Sequence, residues 1–161
     1  MTTAEMNLDP HQDWYRTNVY GDLFDFGFSV KSGYETKQSE CHSQIIKSLR
    51  TMGVLPPQQK NVRLDFIFTH VAGLNVSFFC EDKPRFKTSA RDNMKSKDLR
   101  EKTLVYWSYL LPYEDCLTFI TAVSCQFYKL NLQFKETKII DGVIVHTILK
   151  EVNISSDEQD S

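Results

Sequence analysis

Residues 135–152 read KETKIIDGVIVHTILKEV, and this stretch decides the fold class. Lys135 to Ile140 and Val143 to Val152 are two strand-like runs separated by Asp141-Gly142. Asp-Gly between such runs predicts a β-hairpin closed by a type I′ turn, because that turn needs positive φ at both central residues. The rest of the chain is read outward from this hairpin.

An earlier hairpin is predicted upstream. Val62, Leu64, Phe66 and Phe68 alternate with Arg63 and Asp65. His70-Val71-Ala72-Gly73 turns the chain, and Leu74, Val76 and Phe78 begin a second alternating run that ends at Glu81-Asp82. Phe24, Phe26, Phe28 and Val30 also recur with period two and predict an N-terminal strand, interrupted by Gly27.

Helical spacing governs two segments. Cys41, Ile45, Leu49 and Met52 fall on one stripe, which predicts a helix over roughly 37–52. Ser32-Gly33-Tyr34-Glu35 has the form of a capping box ahead of it, and Ser39 is a second candidate cap. Gly53 and Pro56-Pro57 end it. A second helix is expected from about 95 until Pro112 breaks it. Residues 116–127 satisfy parts of both periods, and Tyr128, Leu130, Leu132 and Phe134 favour a strand.

These elements predict an α+β domain: a mainly antiparallel sheet, built from two hairpins plus an N-terminal strand, packed against one to three helices. The order β-α-β-β-α-β is also that of the split ferredoxin-like layout. The expected organisation is a flexible arm over 1–17, a single domain over 18–152 and an acidic, disordered tail over 153–161. Ser155 and Ser156 stand beside Asp157 and Glu158, so phosphorylation there would add charge to an already acidic tail.

Charge is segregated within the chain. Lys83, Arg85, Lys87, Arg91, Lys95, Lys97, Arg100 and Lys102 lie in one block with Asp92, Asp98 and Glu101, which gives 8 − 3 = +5. The whole chain is 19 − 21 = −2, so the remainder sums to −7. Such a block suits an acidic protein partner, single-stranded RNA or DNA, or only solvent. Nucleic-acid domains are usually net basic, which weighs against that reading. The segment Gly73-Leu74-Asn75-Val76-Ser77-Phe78-Phe79 also lacks the basic start and aromatic core of an RNA-recognition signature.

Enzymatic chemistry has little support. The sequence holds no phosphate-binding glycine loop, no nucleophile elbow and no H-E-x-x-H. Cys41, Cys80, Cys116 and Cys125 form no C-x-x-C pair, and His11, His42, His70 and His146 stand apart, so no metal or cofactor is expected. Met1 to Trp14 has neither the basic start nor the apolar centre of a signal peptide. Reduced thiols and a cytoplasmic or nuclear location are the expectation.

Aromatics fall on both faces of the predicted sheet, which calls for a second covering layer or an interaction surface. Phe79, Tyr106, Trp107, Tyr109 and Tyr128 are the candidate interface residues. The expected function is a non-enzymatic scaffold or adaptor subunit. It would dock a protein partner or a second copy through an apolar sheet or helix surface, with Lys83 to Lys102 tuning the docking.

Overall fold

Six strands join in chain order into one sheet, with each strand beside its sequence neighbour. The structure, a computed structural model, describes residues 34–70, 76–82, 90–128 and 130–153. The strands are β1 (Tyr34–His42), β2 (Arg63–His70), β3 (Val76–Asp82), β4 (Thr121–Tyr128), β5 (Asn131–Ile140) and β6 (Val143–Asn153). Helix α1 (Gln44–Thr51) links β1 to β2, and helix α2 (Ala90–Leu110) with a 3₁₀ turn (Glu114–Phe119) links β3 to β4. This is an α+β fold with a mainly antiparallel sheet. The strands add sequentially, without the interleaving of a split layout.

Every neighbouring pair is antiparallel except β3 and β4. Those two run parallel because α2 carries the chain back across the sheet between them. The predicted strand at Phe24–Val30, the arm over 1–17 and the tail from 154 lie outside the described residues.

The hairpins form where the alternation placed them. Asp141 has φ +50 and Gly142 φ +76, the backbone required by the type I′ turn. β5 is one strand over Asn131–Ile140, however, whereas Tyr128 to Phe134 and Lys135 to Ile140 were read as separate pieces. Tyr128 closes β4 and pairs with Asn131.

The first helix is shorter than its spacing predicts. Residues 34–42 are strand, paired with β2 from Tyr34↔His70 to His42↔Arg63, so Glu35 serves in a ladder and not in a capping box. Cross-strand pairing overrides the local cap signal, because before Ile45 only Cys41 supplied the apolar stripe. Ser43, not Ser39, is the N-cap. Ile45, Ile46 and Leu49 are buried, and Met52 is exposed.

The end of α1 follows its sequence closely. Gly53 takes φ +75, and its N–H reaches the Arg50 carbonyl at 3.0 Å while the Val54 N–H reaches that of Leu49 at 2.9 Å. This is a Schellman ending, with Val54 packed against the core that holds Leu49. Arg50 then ties down the following loop, donating to the Gln59 carbonyl and the Asn61 side-chain oxygen at 2.7 Å each.

Residues 116–127, which fitted both periods, divide into the 3₁₀ turn and β4. Helix α2 ends at Leu110, two residues before Pro112. A core of Ile45, Ile46, Leu49, Leu64, Ile67, Leu99 and Tyr106 joins the helices to the sheet.

The opposite face of the sheet is also buried. Ser124 and Thr137 point at α2, since both bond its Arg100. Cys125, Phe127 and Leu132 therefore face away by alternation, and all three are buried. Phe66 and Phe68 belong with them, because Phe66 registers with Cys80 and Cys80 with Cys125. At these five positions the face is closed to a partner.

Candidate functional site

A polar bracket crosses the helix–sheet interface. Arg100, from the middle of α2, is only 3% exposed although it is charged. Its Nε–H donates to Thr137 Oγ1 at 2.8 Å, and Nη1 reaches Ser96 Oγ at 2.8 Å and Ser124 Oγ at 2.7 Å. Ser96 sits one helical turn before Arg100, so both address the same strands. Burial lowers the guanidinium to about 10, offset in part by the neighbouring Glu101 charge, and it stays protonated at neutral pH.

The bracket continues into β6. Thr137 Oγ1 lies 2.7 Å from His146 Nδ1, and His146 Nε2 lies 2.9 Å from Glu101 Oε1. Thr137 Oγ1 thus accepts from Arg100 and also shares a hydrogen bond with the imidazole, whose other nitrogen is bonded to Glu101. The hydrogen-bonded chain runs Arg100, Thr137, His146, Glu101, and it closes back on α2.

Hydroxyl, imidazole and carboxylate in that order resemble a nucleophile, its base and the group that orients the base. Thr137 is 0% exposed, so no substrate can approach its oxygen. The bracket fixes α2 across β4, β5 and β6. Sequence spacing could not reveal it, because Arg100 and Thr137 are 37 residues apart.

A second polar cluster lies on the far face. Glu136 accepts from Lys138 Nζ at 2.9 Å and Thr147 Oγ1 at 2.8 Å. Those hydrogen bonds, with the Lys138 charge, hold the carboxyl below its ordinary value, against some opposing desolvation.

Among the described residues, the cations of the basic block do not form a single continuous face. Lys83, Arg85 and Lys87 lie outside the described residues, and of Arg91 only the backbone is placed, in α2. Arg100 is interior and unavailable to a partner. Lys102 pairs with Asp98, and exposed Lys97 stands 4.0 Å from Glu101. Lys95 is half-buried.

The candidate interface residues also separate. Tyr106 belongs to the core, and Trp107 packs against it. Tyr128 is half-buried, and Phe79 occupies β3 opposite Ile67, its side chain outside the description. Tyr109 alone stays clearly outside, at 58% exposed.

Around Tyr109 lies a surface that periodicity did not reveal. Leu110 is exposed beside it, and Tyr113 and Phe119 follow at 72% and 87% exposed. The 3₁₀ turn that carries Phe119 contacts both α2 and β5. Glu114 and Asp115 sit among them. The signal available was the cluster Tyr113, Leu117 and Phe119 behind Pro112, too short for any period to resolve.

Among the described residues, no group of three or more His, Cys, Asp or Glu could hold a metal ion. No helix among them is long and apolar enough to cross a membrane. Cys116 and Cys125 are free thiols. Compared with known proteins, the chain matches no family model, no curated protein and no solved structure.

Proposed function

We propose that this chain is a non-enzymatic interaction subunit that docks a protein partner through Tyr109, Leu110, Tyr113 and Phe119. The observation that carries this reading is the exposure of those four large apolar side chains within one short span at the end of α2. Burying them would remove apolar surface from water at ~25 cal/mol per Å². Tyr and Phe are also favoured at the centres of interfaces.

The partner's chemistry follows from the rim. Glu114 and Asp115 follow Tyr113 in the chain and are exposed, so a partner with Lys or Arg around an apolar centre is complementary. The described cations of the basic block run along α2 only as far as Lys102, about two helical turns before Tyr109.

The test is a Tyr113→Glu/Phe119→Glu double variant. Cross-linking in the cells that make the protein, read by mass spectrometry, should give partner cross-links at 109–119 in the parent chain. The variant should lose them while keeping its circular dichroism spectrum. Equal cross-linking by a folded variant sinks the reading.

A further inference from the structure

The last strand of the sheet, β6, has β5 as its one neighbour among the described residues. From Val143 to Leu149 it reads VIVHTIL, with no Lys, Arg, Asp or Glu. Proteins normally protect such an edge with charges or proline. Here the protecting features stand outside the run: Asp141 before it, Lys150 and Glu151 after it. Val143, Ile144, Ile148 and Leu149 are all exposed, Ile148 by 59%.

We propose that residues 143–149 of β6 pair with the same residues of a second copy, extending the sheet through a twofold axis at His146. The run is symmetric about that residue. An antiparallel ladder centred there sets Ile144 opposite Ile148 and Val145 opposite Thr147, each pair occurring twice. The faces agree, as they must across a continuous sheet. Ile144, His146 and Ile148 register with Ile139, Thr137 and Lys135 on the α2 side, while Val145 and Thr147 register with Lys138 and Glu136 on the other.

Two further features select a second copy as occupant. The ladder between β5 and β6 shifts register between Phe134 and Lys135, which leaves Leu149 as the extra residue of a bulge. A bulge ends straight pairing, so the usable edge stops where the symmetric run stops. The twofold also leaves the charges Asp141, Lys150 and Glu151 outside the ladder. Facing β-branched pairs such as Ile144 and Ile148 are the kind that stabilise a sheet.

The edge uses residues other than the Tyr109–Phe119 docking end, so each reading is tested by its own variants. The experiment is sedimentation equilibrium of the full chain from roughly 1 μM to roughly 1 mM, with hydrogen exchange measured at both extremes. The expected result is a doubling of mass, with amides of 143–149 gaining protection as the dimer forms. Ile148→Lys should remain a monomer at every concentration. That side chain is exposed, so the fold survives the change, and Leu149→Lys repeats the test at a second exposed site.

A chain that stays monomeric throughout overturns the proposal. So does a dimer whose 143–149 amides gain no protection and which Ile148→Lys leaves intact. If Tyr113→Glu/Phe119→Glu dissolves that dimer instead, the second copy sits on the aromatic end and the edge is not used.

Discussion

Arg100 on α2 donates its Nε–H to the Thr137 hydroxyl on β5 at 2.8 Å, inside the protein and, among the described residues, with no carboxylate bonded to the guanidinium. A buried cation held only by hydroxyls depends on every one of them, because water cannot replace a lost acceptor.

Thr137→Val tests that dependence directly. The variant keeps the shape but leaves Arg100 Nε without its acceptor and His146 Nδ1 without its hydroxyl partner. Urea unfolding should show a loss of about 1–3 kcal/mol. A loss below about 0.5 kcal/mol would mean that water enters the bracket.

Charge reversal separates interior from surface within the basic block. Arg100→Glu buries an unpaired carboxylate and should destabilise the fold by at least about 3 kcal/mol. Lys97→Glu acts at an exposed position and should change stability by no more than about 0.5 kcal/mol. With labelled single-stranded RNA, Lys97→Glu is the informative variant in fluorescence anisotropy. Loss of binding by Arg100→Glu would report unfolding. The expected outcome for the parent chain is no binding at physiological salt, since the described part of the block is partly interior and partly ion-paired.

Glu136 sets an acid limit on stability. Its carboxyl is held below the ordinary value of 4.5 by hydrogen bonds from Lys138 and Thr147 and by the Lys138 charge. On acidification the unfolded chain takes up this proton first. The contribution is therefore complete above about pH 4.5 and disappears as pH falls through the lower folded value. Glu136→Gln should flatten the dependence of stability on pH across that window, measured by urea unfolding at successive pH values. An unchanged slope would remove Glu136 from the acid transition.

The β5–β6 turn offers a backbone test. Gly142 has φ +76, and a Cβ added there would meet nothing within 4 Å. The cost of Gly142→Ala is thus conformational alone, about 1–2 kcal/mol, read as a lower melting temperature. A neutral result would mean that the hairpin accepts a different turn.

Legibility in the sequence followed the range of the interactions. The Asp141-Gly142 hairpin and the Gly53 helix stop were legible because neighbouring residues decide them. Residues 34–42 were read partly as helix because the pairing of Tyr34 with His70 and of His42 with Arg63 decides them from afar. The sheet's two apolar faces were legible from alternation, but not that both are covered. The candidate site was least legible. Arg100 reads as surface charge until Ser124 and Thr137 are brought beside it. Tyr106 and Tyr109, three residues apart on one helix, read alike until the core takes one of them.

The parallel pairing of β3 with β4 also sets an order of events during synthesis. β1, β2 and β3 can pair as soon as Asp82 has left the ribosome. The partner of β3 then waits for all of α2 and the 3₁₀ turn, because β4 begins only at Thr121. Through that interval the nascent chain carries an unfinished margin that includes Phe78 and Phe79, open to any other strand nearby. Slow translation between Lys83 and Ile120 would lengthen the exposure. Misassembly of this protein is therefore governed by the speed of elongation as well as by the stability of the finished fold.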